Sequence, residues 1–228
     1  MKTISVCNKK EGVGKTTLCK NVAYKLVLDG AKVLLIDLDS QGIVTLELQQ
    51  DNRDINKTMT KIIVSVEDVS IDKIIQISRY KNIDIIASSE SVRKSISLIK
   101  DLYNKKTILD WWLIYKINKK IFDIYDYVLI DCPPTLDELS LNSLLISDLI
   151  LIPINNGLGT YKGIVDLQNT ISYIANIDKR IIPEIKIIIS TAVSAWNQFF
   201  RCVNWQSFAL EMSYRSYCDK IEYSWFCN

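Results

Sequence analysis

Long apolar runs alternate along this chain with segments whose apolar residues return every three to four positions. Residues 2–7, with Ile4, Val6 and Cys7 apolar, form the first predicted strand. Lys15 to Leu28 follows with Leu18, Val22 and Leu26 at helical spacing, and Asp29-Gly30 closes the helix. Ala31 to Ile36 is then, apart from Lys32, apolar without alternation, as expected of a strand covered on both faces in a parallel sheet. Strand, loop, helix and strand make a βαβ unit. Glu47 to Tyr80 is polar and irregular, with weak elements at 55–64 and 71–77. The pattern then predicts a strand over Asn82–Ala87, a helical segment from Glu90, an apolar strand ending at Asp131, a helix over Thr135–Ile146 and a strand over Leu149–Pro153. A helix over Gly159–Ile174 and a strand over Glu184–Ser190 follow. The expected fold class is α/β: a mainly parallel sheet flanked by helices on both faces, in three layers.

At 228 residues and 48% apolar, the chain suits one such domain with a large core. Its formal net charge of +2 is too small to argue nucleic-acid binding by itself. No run approaches the length of a membrane span, and Met1-Lys2-Thr3-Ile4-Ser5-Val6-Cys7 is too short and wrongly flanked for a signal peptide, so the expected location is cytoplasmic. The six cysteines include no C-x-x-C pair and there is no histidine. Zinc-site, cysteine-protease and serine-hydrolase readings thereby lose their main ligand or base. Cys7 and Cys132 read as buried small hydrophobes in or beside strands.

Chemistry gathers where the first strand meets the first helix. Gly12-Val13-Gly14-Lys15-Thr16-Thr17 lies between an apolar run and a helical run, the setting a phosphate loop requires. Glycines let backbone N–H groups turn toward phosphate oxygens, and the helix start adds unpaired N–H groups and the positive end of its dipole. Lys15 then reaches the β- and γ-phosphates and Thr16 offers its hydroxyl to magnesium. The plain alternative is a strand-to-helix turn that contains two glycines. Asp37 and Asp39, spaced by two at the end of the second predicted strand, point the same way toward the crevice of an open α/β sheet. They also fit solvated acids at a turn. Asp131 ends an apolar strand, the Walker B arrangement for holding magnesium through water.

Lys10, five residues before Lys15, makes Lys10-Glu11-Gly12-Val13-Gly14-Lys15-Thr16 similar to the deviant Walker A motif, Lys-Gly-Gly-x-Gly-Lys-Thr, of the ParA/MinD family of ATPases. Asp37-Leu38-Asp39-Ser40-Gln41 resembles the family's D-x-D-P-Q stretch, with Ser40 in place of proline. Tyr125-Asp126-Tyr127-Val128-Leu129-Ile130-Asp131-Cys132-Pro133-Pro134 resembles its Y-D-[YF]-[IV]-[IL]-[IVL]-D-x-P-P block closely. The resemblance covers roughly residues 1–190 and implies a P-loop NTPase-like core with ATP and Mg²⁺ as cofactors. It implies that Glu11, Gly12, Val13, Gly14, Lys15, Thr16 and Thr17 cradle the nucleotide and that Thr16, Asp37 and Asp131 surround the metal. It further implies that Lys10 crosses to the partner subunit's nucleotide in an ATP-sandwich dimer, beside Lys15 as a catalytic group, and that Asp39 orients the attacking water. Glu11 departs from the family, standing where the first glycine after the lysine is. A carboxylate there opposes phosphate charge, and a positive φ at that position would carry a conformational cost.

Arg93, Lys94, Lys100, Lys105, Lys106, Lys116, Lys119 and Lys120 form a basic run that suits either a solvated helix face or contacts to DNA phosphates. Trp111 and Trp112, among Ile108, Leu109, Leu113 and Tyr115, read as core. Residues 191–228 change character: three of the five tryptophans and three of the six cysteines lie there, with no Gly or Pro. This stretch is an atypical tail beside the 1–190 ATPase core, and one expectation is an out-of-frame or truncated end. Its apolar residues lie all round a helix and its charges cancel, so no membrane partner is expected.

The resemblance implies a ParA-like (Soj-like) ATPase of plasmid or chromosome partition. It forms a homodimer on ATP binding, binds non-specific DNA and works with a centromere-binding, ParB-like partner; active protein would be nucleoid-associated. The alternatives are a degenerate, non-hydrolysing nucleotide- or partner-binding relative, a MinD-like membrane-associated ATPase, and an electron-transferring relative with a cluster between subunits, for which Cys132 alone is the candidate.

Overall fold

The computed structural model describes residues 1–51, 54, 56–64, 70–95, 119–154, 165–167, 169–172 and 184–189. Strand β1 (Lys2–Val6) leads through a loop into helix α1 (Lys15–Leu28), and strand β2 (Val33–Asp37) into α2 (Ile43–Leu48). Helix α3 (Met59–Val64) and a 3₁₀ turn at Ile71–Lys73 precede β3 (Gln76–Ile77) and β4 (Ile83–Ile86). After α4 (Lys119–Phe122) come β5 (Tyr127–Asp131), α5 (Glu138–Ile146), β6 (Leu149–Ile154) and β7 (Glu184–Ile189). Residues 91–95, 165–167 and 169–172 are also helical. Most of the basic run, Trp111, Trp112 and the whole of 191–228 lie outside the described residues.

Among the described residues these strands form one sheet in the order β3-β4-β2-β5-β1-β6-β7. Every pairing is parallel except that of the two-residue edge strand β3 with β4. The unbroken apolar runs are explained by burial on both faces. Leu34, Ile36, Val128, Ile130, Ile150 and Ile152 pack on one side with Met59, Ile62 and Ile63 of α3 and Leu139 and Leu144 of α5. Their neighbours Val33, Leu35, Leu129, Leu149 and Leu151 pack on the other side with Leu18, Val22 and Leu26 of α1 and Val44 and Leu48 of α2. Each such side chain contributes roughly 1.5–3 kcal/mol of hydrophobic free energy, which holds both helical layers to the sheet.

The connections place the site. From β1 the chain moves by α1 to β2, stepping over the position of β5; from β5 it moves by α5 to β6, on the other side of β1. The winding therefore reverses between β1 and β5, and a crevice opens beyond the carboxyl ends of these strands. Val6 and Asp37 both lie level with Asp131 in register, so β1, β2 and β5 deliver their ends to one place.

Candidate functional site

Beyond β1, Cys7 N donates to Leu151 O at 3.0 Å, and buried Asn8 takes over the next bonds. Its Nδ2 donates to Pro153 O at 2.7 Å and its Oδ1 accepts from Lys10 N at 2.9 Å, so one carboxamide fastens the loop entry to the end of β6. Lys9 pairs with Asp166 at 2.8 Å across the surface. Gly12 and Gly14 have φ of +69° and +86°. An added Cβ at Gly12 would meet nothing within 4 Å, so the glycine is required there by its backbone and not by crowding.

Glu11 is exposed, and among the described residues Asn82 is the one non-glycine with positive φ. The conformational cost anticipated for Glu11 is therefore absent, because the turn places its left-handed residues at Gly12 and Gly14. Val13 is buried and anchors the loop by its side chain.

Gly14 caps α1 without a side-chain acceptor, and the helix has no acid in its first turn. Its leading N–H groups and its positive dipole end thus face the loop with no competing carboxylate from the helix itself. Lys15 is 8% exposed, and its Nζ donates to Lys10 O at 3.0 Å, closing the loop on itself. Thr16 Oγ1 donates to Asp131 Oδ2 at 2.8 Å, whereas Thr17 is exposed.

Asp131 is 1% exposed, and its Oδ1 has no hydrogen-bond partner. Burial, the charge of Asp37 and that of Asp39 hold its pKa well above the usual carboxylate range, against the Thr16 hydroxyl and the Lys15 ammonium. Asp37, fully buried beside it in register, accepts from Asp39 N at 3.0 Å on Oδ1 and from Thr45 N at 2.9 Å and Thr45 Oγ1 at 2.7 Å on Oδ2. Burial pushes its pKa up to about 6 although these bonds pull it down. Asp39 is half-buried at the crevice, its Oδ1 accepting from Gln41 N at 2.9 Å.

The donor set fits magnesium. Asp131 presents one bare buried oxygen beside the Thr16 hydroxyl, and Mg²⁺ favours one or two carboxylates with water and phosphate completing the shell. Among the described residues no three His, Cys, Asp or Glu side chains converge as an all-protein cage. Cys7, Cys19 and Cys132 are free and buried, Cys132 contacting the Ser143 hydroxyl at 3.1 Å. They offer no exposed thiol to a cluster.

The loop, Lys15, Thr16, Asp37, Asp39 and Asp131 are thus brought to one crevice, as their sequence blocks imply. Asn8 and Thr45 are additions of the fold. An asparagine closing an apolar run was the available sign of the first; nothing in the pattern marks the second.

Residues 1–187 match the family described as AAA domain. The chain is 33% identical over 171 residues to the sporulation initiation inhibitor protein Soj of Bacillus subtilis, covering 75% of this chain and 64% of that protein. It spans about half to two thirds of the length of the curated relatives it matches, 52% in one case. A plasmid partition protein from Borrelia burgdorferi has a similar structure: TM-score 0.68, 25% identity, 86% of this chain and 85% of that one. Cobyrinic acid a,c-diamide synthase from Mycobacterium smegmatis, solved with an ATP analog and magnesium, shares the fold with a TM-score of 0.68 at 24% identity, over 82% of this chain and 72% of that one. By its family match and its relatives, the chain belongs to the AAA-domain family, in the ParA/Soj group of P-loop ATPases.

Proposed function

We propose that this chain is a Mg²⁺-dependent ATPase that acts in plasmid or chromosome partition by closing as a homodimer on ATP and binding DNA without sequence preference. The observation that carries the nucleotide reading is the joined set of Gly12 and Gly14 in left-handed conformation, Lys15 held over the loop, and Thr16 bonded to Asp131.

The backbone N–H groups of the loop and the start of α1 bind the phosphates, and Lys15 exchanges its bond to the Lys10 carbonyl for phosphate oxygen. Thr16 and Asp131 would hold the magnesium, which when bound would supply positive charge to offset that of the phosphates. Asp39, at the mouth of the crevice, orients the attacking water. Lys10 reaches across to the partner subunit's nucleotide, which makes dimer closure depend on ATP. DNA binding by the closed dimer weakens as salt rises, since its contacts are to phosphate. A centromere-binding, ParB-like protein is the partner proposed to stimulate turnover. The partition role rests on the chromosome-partitioning ATPase Soj of Treponema pallidum, 29% identical over 170 residues, and on the Borrelia partition protein.

Magnesium-dependent hydrolysis by the purified chain tests this reading. Asp39→Ala is expected to lower kcat by about 10²–10⁴-fold, the usual worth of a positioned acid–base group, while leaving ATP binding in place. Equal hydrolysis by the variant and the wild type would sink the assignment of Asp39. Glu11→Gly decides between an active and a disabled loop. Comparable ATP binding by the wild type and this variant supports the ATPase; binding by the variant alone shows a non-hydrolysing relative.

A further inference from the structure

We infer that Asp37 and Thr45 form a positioning tether for Asp39, so that Asp37 acts on the chain behind the metal and not as a metal ligand. The inference rests on the role proposed above for Asp39.

Both Asp37 oxygens are already engaged by the chain. Oδ1 accepts from the backbone N of Asp39 itself, at 3.0 Å. Oδ2 accepts both the backbone N and the hydroxyl of Thr45, at 2.9 and 2.7 Å. The Thr45 hydroxyl in turn accepts from Ser88 N at 2.8 Å. One buried hydroxyl therefore fastens together the end of β2, the start of α2 and the segment just beyond β4, which lies beside β2 in the sheet.

The segment between β2 and α2 has few other fixings. Leu38 N donates to Asp131 O at 3.0 Å, Gly42 N to Asp39 O at 2.9 Å, and Gln41 N to Asp39 Oδ1 at 2.9 Å. The last two bonds shape the turn without attaching it to the sheet, so its attachment rests on Leu38 and on the Asp37 carboxylate. Two exposed apolar residues on α2, Ile43 and Leu46, show that only one side of this six-residue helix is packed. A short helix held by Val44 and Leu48 on one face gains its orientation from the Thr45 bonds at its start. Asp37 was a candidate for the metal shell by resemblance. Its three hydrogen bonds point its oxygens at the turn, whereas Asp131 keeps a bare one.

Misplacement of a reacting group by about 1 Å costs on the order of 10²-fold in rate, so loss of the tether falls on turnover. Thr45→Val keeps the side-chain shape and removes the hydroxyl; Thr45→Ser keeps the hydroxyl. Thr45→Val is expected to lower kcat about 10–100-fold with ATP affinity held within about 3-fold, and Thr45→Ser to retain the wild-type rate. Amide hydrogen exchange on the nucleotide-free chain supplies a readout independent of hydrolysis. Exchange at residues 39–42 is expected to rise in Thr45→Val and not in Thr45→Ser.

Asp37→Asn gives a second variant should Thr45→Val fail to fold. It is expected to speed exchange at the same residues and to leave the magnesium concentration for half-maximal ATP binding unchanged. Unchanged exchange in these variants overturns the tether, and so does a tenfold or greater rise in the magnesium requirement of Asp37→Asn, which marks a metal ligand. If the wild type does not hydrolyse ATP, the ATPase proposal fails on its own, while the exchange comparison still decides the tether.

Discussion

Asp131 is a carboxylate that its own surroundings make hard to ionise. Its one bare oxygen and the neighbouring Asp37 carboxylate make ionisation costly in the metal-free chain, and both pKa values are raised. Between the ordinary carboxylate range and the raised values the folded state holds more protons than the unfolded state. Stability from these two groups therefore falls as pH rises through that window, from about 4 to 6 for Asp37, and stays lost above it. Asp131→Asn removes one charge and relieves the other. In the presence of a chelator it is expected to unfold at a higher temperature than the wild type at pH 8, with the difference closing toward pH 4. A variant less stable than the wild type at pH 8 would show that the Thr16–Asp131 bond outweighs the repulsion. At this scale the sequence was legible where a motif is contiguous, as in Gly12 to Thr16. It marked Asn8 only as the polar end of a run and was silent on Thr45, because their bonds to Pro153 and Ser88 depend on which strands become neighbours.

The elements show the same division. Strands buried on both faces are largely apolar, so β2, β5 and β6 are visible in the sequence without knowledge of their order, and β1 and β4 are visible despite Thr3, Ser5 and Asp84 within them. Their ends are less so. The apolar pattern carries the second strand back to Ala31, yet Ala31 N bonds Leu26 O and Lys32 N bonds Asp126 Oδ2, so both residues close the turn after α1. Likewise the helix expected from Thr135 begins at Glu138. Asp137 accepts from Leu139 N and Ser140 N and receives the Thr135 hydroxyl, which spends residues 135–137 on a cap. Asp137→Ala is expected to cost about 0.5–2 kcal/mol, read as a lower urea midpoint at unchanged slope. An unchanged midpoint would mean that packing of Leu139 and Leu144 alone sets the helix start. Helix α2 escaped the sequence pattern altogether, being six residues long with Ile43 and Leu46 exposed.

For the whole molecule, the parallel sheet and its two helical layers follow from the alternation of runs and periodic segments, whereas the dimer closure proposed above turns on the side chain of Lys10. Lys10 lends its backbone to the loop, its N to Asn8 and its carbonyl to Lys15, and it is half-buried at the surface. Nucleotide binding and dimer closure should therefore separate when its side chain is removed. Any ligand that binds the folded state raises the unfolding temperature, by about 2.7 kcal/mol at 100 times Kd, or roughly 5–10 °C for a chain of this size. Dimerisation adds a dependence on protein concentration that simple ligand binding lacks. With saturating Mg²⁺ and ATP, the wild type is expected to unfold at a temperature that climbs as the protein is concentrated 100-fold. Lys10→Ala is expected to gain the nucleotide increment and lose the concentration dependence. A variant that loses the increment itself would place Lys10 in its own subunit's nucleotide site, and one that keeps the concentration dependence would remove it from the dimer interface.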